Sequence, residues 1–140
     1  MRKLFIVVLT AGVLLLAAAP AWAHHAFAAE FDANRPVKFK GTVTKMEWIN
    51  PHAWIHIDVK GEDGQVTPWM IEAAAPNALL RRGWTKNSLP AGTEILVEGF
   101  QAIDGTNRAN GSVITFTDGK KLFVGSSAGD PGAAPGTTFK

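Results

Sequence analysis

Between His52 and Lys60 apolar and polar residues alternate without a break. Ala53, Ile55, Ile57 and Val59 fall on one side, and His52, Trp54, His56, Asp58 and Lys60 fall on the other. A period of two is the signature of a strand with one face on a core and one toward water. The same rhythm recurs in Val37–Trp48, where Val37, Phe39, Gly41 and Val43 alternate with Lys38, Lys40, Thr42 and Thr44. Gly41 inside that run predicts a bend or bulge, a common way to curl a sheet. Asn50-Pro51 separates the two runs as a turn, and Gly61-Glu62-Asp63-Gly64 leads into a third strand, Gln65–Glu72. Pro68 inside the third strand marks an edge or bulged position.

Downstream, Pro76-Asn77-Ala78-Leu79-Leu80-Arg81-Arg82-Gly83 reads as a short helix. Proline sits in its first turn, arginines near its negative end and a glycine at its stop. Thr93–Ala102 gives a fourth strand with Ile95, Val97 and Gly99 inward. Asp104-Gly105 opens a polar loop, Gly111–Thr117 gives a fifth strand, and Lys121–Val124 a last short one. The order predicts a mainly β fold, a small five-stranded OB-like Greek-key barrel with one short helix between strands 3 and 4. A small up-and-down β-sandwich is the alternative. In the barrel, ligands meet the face of strands two and three and the loops Trp48–Pro51 and Ile103–Asn110.

The first 23 residues have a different plan. Arg2 and Lys3 precede an almost wholly apolar Leu4–Ala19, and Ala21-Trp22-Ala23 supplies a small-residue cleavage site. This predicts a cleavable signal peptide over 1–23, an N-terminal arm over 24–36, a β domain over 37–124 and a disordered tail over 125–140 rich in glycine, proline, serine, threonine and alanine. The expected location is the periplasm, with no transmembrane segment after cleavage. Removing Arg2 and Lys3 from the 14 Lys+Arg leaves 12, equal to the 12 Asp+Glu. A neutral mature domain lacks the basic footprint of a nucleic-acid binder, so a small ligand or a periplasmic protein is the expected partner. The chain has no cysteine, which excludes disulfides, thiolate metal sites and thiol catalysis.

Cleavage after Ala23 frees the α-amine of His24. That amine and the imidazole can chelate one metal ion, and nitrogen donors suit Cu(II), the candidate cofactor. His25, His52 and His56 are further candidate ligands. His52 and His56 lie about 13 Å apart along a strand, so at most one joins a site built on His24. Trp54, between the two histidines, is a candidate stacking platform, with Trp48, Asn50 and Arg108 as companion ligand-binding residues. Arg81 and Arg82 are explained by the helix dipole. Glu47, Asp58 and Glu72 show no acid/base spacing and are expected on solvated strand edges. Ser88, Ser112, Ser126 and Ser127 lack a nucleophile-elbow context, and no glycine-rich phosphate loop follows a strand. A binding or accessory module is therefore expected before an enzyme. A structural or interaction domain using the Trp54 face is the alternative, and a copper-dependent redox enzyme a more distant one.

The start HHAFAAEFD, NPHAW at Asn50–Trp54, PNALLRRGW at Pro76–Trp84, and the later VEG and DGKKLF resemble an uncharacterised family of small secreted proteobacterial proteins. The resemblance runs from His24 to about Ser127. It implies a Gram-negative, periplasmic setting and brings no activity, ligand or catalytic residue.

Overall fold

The computed structural model describes residues 27–125; the expected signal peptide, His24, His25 and the expected tail beyond Gly125 lie outside the described residues. A helical turn over 27–30 leads into β1, Phe31–Glu47. Then follow β2 (Trp54–Lys60), β3 (Val66–Glu72), a helix α1 (Pro76–Arg81), β4 (Glu94–Ala102), β5 (Arg108–Phe116) and β6 (Lys121–Phe123). The mainly β fold and the helix between β3 and β4 match expectation.

The strands form one six-stranded sheet in the order β3-β2-β1-β4-β5-β6, and a further β3–β5 pairing rings the hydrogen bonds through five strands. All pairings are antiparallel except β3–β5, which is parallel. β1 makes the ring possible by serving two neighbours. Its first part, Pro36–Thr42, pairs with β4, and Thr42–Glu47 pairs with β2. The changeover is at Gly41–Thr42, where a Cβ on Gly41 would stand 2.8 Å from Ile57 Cδ1. A side chain there would crowd Ile57 and the Asp58 carbonyl across the β1–β2 pair, while the irregularity in that ladder falls further along, between Val43 and Lys45.

β1 also starts earlier than the alternation indicated. Phe31 pairs with Ala102, and the register then slips before Pro36. Asp32–Arg35 between them are all exposed or half-exposed, so no period of two marks them. β6 extends the second edge of β5, whose first residues are taken by β3. Pro68 lies in the half of β3 that has a partner on one side only, because β5 reaches only Met70–Glu72.

The ring is filled by Val43, Ile55, Ile57, Ile71, Ile95, Val97 and Ile114, all buried. Each such side chain contributes about 1.5–3 kcal/mol by leaving water. Leu79 of α1 and Trp84 join this core, and Trp84 Nε1 donates to Phe123 O at 2.9 Å, so the buried indole leaves no orphan donor. Arg82 lies 4.6 Å over the Phe123 ring and donates to Gly125 O. Besides its place at the helix end, it therefore fastens the last strand.

A second close approach is tighter. A Cβ on Gly99 would stand 2.1 Å from Asn110 O, at the irregularity between Glu98 and Gly99 in the β4–β5 ladder. Gly99→Ala must push backbone away from backbone. We expect it to destabilise the domain by about 3 kcal/mol, the upper end for overpacking, measured by denaturant unfolding; a loss near zero would show that the ladder can slide.

Candidate functional site

Side chains that face outward on the ring line up across strands. Glu47 of β1 pairs with Trp54 of β2, Trp54 with Glu72 of β3, Glu72 with Asn110 of β5, and Asn110 with Phe100 of β4. A second row, two residues along, holds Lys45, His56, Met70 and Arg108. The residues between the rows, Ile55, Ile71 and Ala109, point into the core, so strand alternation presents both rows on one outer face.

Part of that outer face is not solvated. Glu72 is 6% exposed and Asn110 3%. The turn at 27–30 packs onto this end of the row. The Phe27 ring centroid lies 5.8 Å from Phe31 and 5.8 Å, edge-on, from Phe100. Glu30 O accepts the Ile103 N–H at 3.0 Å, and its carboxylate lies 4.0 Å from Arg108. Glu72 on a solvated strand edge, as the sequence led us to expect, is therefore wrong. The carboxyl is buried where β3 meets β5, a pairing distant in sequence that no local pattern reveals.

His52 reaches the same point from the β1–β2 loop. Backbone bonds from Ala53 to Ala74 (3.2 Å) and from Ala73 to Ala53 (2.8 Å) hold the loop end against the end of β3. His52 Nδ1 then lies 2.8 Å from Glu72 Oε1, with the imidazole side chain 37% exposed.

The Glu72 carboxyl is pushed up from 4.5 to about 7. Burial is the main cause and the Glu30 charge adds to it, while the Arg108 charge and the Asn110 hydrogen bond work against it. Asn110 Oδ1 is buried and has no hydrogen-bond partner among the described residues. An acceptor left unmade at such depth costs free energy.

His56 belongs to a different group. Its Nε2 lies 3.5 Å from Glu47 Oε2, and Lys45 pairs with the same carboxylate. Lys45, then His56, hold Glu47 below the usual carboxylate range. Each histidine thus has its own carboxylate, on opposite sides of Trp54. Trp54 is half-buried between Glu47 and Glu72, Trp48 is half-buried against the core, and Asn50 is exposed. Arg108 pairs with Asp104 at 3.4 Å, and Asp104 is held low chiefly by its hydrogen bonds from Thr106.

Among the described residues no three histidine or carboxylate side chains converge as a metal set, and His24 and His25 lie outside them. A cleft of about 620 Å³ opens elsewhere on the outer surface, lined by Lys40, Thr42, Asp58, Lys60 and Glu94 among others. It shares no residue with the His52–Glu72 corner.

Residues 12–111 match the profile of a family described only as a family of unknown function, DUF6152. The chain belongs to that family. The matched span includes NPHAW and PNALLRRGW, and DGKKLF lies beyond it. No curated protein and no solved structure matches the chain.

Glu72 and Asn110 are the residues that pattern reading passed over. Glu72 does carry a signal: it is the lone charge in Met70-Ile71-Glu72-Ala73-Ala74-Ala75. Asn110 falls where a loop was expected, because β5 starts at Arg108 rather than Gly111.

The raised Glu72 value fixes a sign for stability against pH. Below about 4.5 both folded and unfolded chains hold the proton. Between 4.5 and about 7 the folded chain keeps a proton that the unfolded chain has lost, so stability falls as pH rises through that window. Glu72→Gln removes the titration. We expect it to equal the parent near pH 4 and to exceed it by about 3 kcal/mol above pH 7. Urea unfolding at both pH values checks this, and a pH-independent difference would refute the raised value.

Proposed function

We propose that this protein is an exported binding module of the periplasm that holds a divalent metal ion, copper foremost, through its mature N-terminus. The leader, with Ala21-Trp22-Ala23 before His24, supports export and a free α-amine on His24. An amine and an imidazole on one residue form a compact nitrogen chelate, and Cu(II) stands at the top of the divalent affinity order.

One observation carries the reading. The chain just after the histidines is anchored: Phe27 is wedged against Phe31 and Phe100, and Glu30 is tied to Ile103. His24 is three residues before Phe27, so its distance from that anchor is at most about 10 Å. No helix among the described residues is long and apolar enough to cross a membrane. A second reading, an interaction domain for a periplasmic protein, draws on Trp54, which remains partly open on the same face.

The test is calorimetric titration of Cu(II) into mature protein beginning at His24, beside a form carrying one extra N-terminal glycine. The extension keeps every side chain and moves the amine off His24. One-to-one binding weakened more than about 100-fold by the glycine, beyond the usual cost of losing an outer-shell partner, is the expected result. Equal or negligible binding in both forms would sink the chelate and leave the Trp54 face as the recognition surface.

A further inference from the structure

We propose that the cleft where β1 passes from β2 to β4 is a separate binding site, and that it takes a small zwitterion of dipeptide size. The inference does not depend on the N-terminal chelate or on the Trp54 face.

Thr42 is the residue of β1 that is paired on both sides, with Asp58 of β2 and with Glu94 of β4. Val43, Ile57 and Ile95 beside them are buried in the core, so Asp58, Thr42 and Glu94 make one outward row. Two carboxylates thus flank one hydroxyl. Two residues back along β1, Lys40 pairs with Leu96 of β4, and Leu96 with Thr115 of β5. The β1–β2 register, continued two residues past Thr42 and Asp58, sets Lys60 opposite Lys40. The second row is therefore the cationic one. Both rows line the same cleft of about 620 Å³, an ordinary size for a small-molecule site.

The charges of the cleft do not satisfy one another. Among the described residues Lys40, Asp58, Lys60 and Glu94 make no ion pair. Lys38 and Glu98, on the same outer face, do close at 2.9 Å. The register explains the difference. Lys38 stands directly opposite Glu98, whereas Lys40 faces Leu96 and Glu94 faces Thr42. Like charges are brought together instead, which is unfavourable across strands. A carboxylate between the two lysines and an ammonium between the two acids relieve both repulsions. Thr115, at the lysine end, adds a hydroxyl with no hydrogen-bond partner among the described residues.

The distance between the rows sets the size of the ligand. Lys40 and Thr42 are successive outward positions of one strand, about 7 Å apart. An extended dipeptide spans about the same length, and a single amino acid about half of it. Leu96, half-buried in the cleft, offers an apolar contact to a side chain of the peptide. With two positive and two negative groups, the cleft has no net charge to draw a bare anion or a bare cation.

Calorimetric titration of the mature protein with the dipeptide Ala-Leu tests the assignment. Ala-Leu should bind one-to-one, while N-acetyl-Ala-Leu, Ala-Leu amide and free leucine should each bind at least about tenfold more weakly, the loss of one charge-assisted contact. The double variant Asp58→Asn with Lys60→Gln keeps the net charge and should weaken Ala-Leu to the same degree. Lys86→Gln, an exposed lysine outside the cleft, should not. Thermal unfolding confirms that the double variant folds; should it not, Lys40→Gln with Glu94→Gln takes its place. No Ala-Leu binding tighter than about 1 mM overturns the proposal. So does equal binding by either capped form or by leucine, and so does parent-like affinity in the folded double variant.

Discussion

Three residue pairs close this fold. Met70, Ile71 and Glu72 of β3 run parallel to Arg108, Ala109 and Asn110 of β5, and without them the sheet would remain an open meander with two long edges. Open edges invite pairing with other chains. The closure is short because β5 must serve β3 first and β6 afterwards. It also has a chemical consequence. Parallel pairing in this register sets Glu72 beside Asn110 on the outer face while Ile71 and Ala109 enter the core. The contact that makes the ring is therefore also the one that builds the polar corner.

The sequence showed most of the ring and little of that corner, for physical reasons. Strands such as Trp54–Lys60 and Glu94–Ala102 have one buried and one wetter face, and alternation records that difference residue by residue. Gly41 and Pro68 were legible because a missing Cβ and a missing N–H each permit few positions in a sheet. The start of β1 was not legible, since Asp32–Arg35 form strand without burying anything. Glu72 was misread for the opposite reason. Its strand face is polar by alternation, yet it is buried beside Asn110, and periodicity holds no information about which outward positions are covered.

His52 and His56 show how much depends on that coverage. Both belong to the same outer face, four residues apart, and each approaches a carboxylate. Glu47 remains open to solvent, meets Lys45 as well, and sits below the usual carboxylate range. Glu72 is enclosed, with the Glu30 charge nearby, and sits well above it. One histidine thus flanks an ordinary surface ion pair, worth little. The other leans on a buried group whose proton is held to neutral pH. Both are histidine–carboxylate pairs; the burial of the carboxylate distinguishes them.

A buried glutamate is an expensive way to finish a strand. An apolar side chain at 72 would extend the run of Met70, Ile71, Ala73 and Ala74 and avoid desolvating a carboxyl. The Asn110 Oδ1 beside it adds a second cost that no described residue relieves. Departures from local consistency of this kind concentrate where a protein needs a particular group in a particular place. At this corner the group nearest the buried carboxyl is His52, whose Nδ1 lies 2.8 Å from Glu72 Oε1. The fold would close as well without that imidazole, because the closure depends on backbone pairing and on Ile71 and Ala109 inside the ring. The polar corner is therefore not what closes the ring: its burial is a cost carried on the same strand ends that the closure joins.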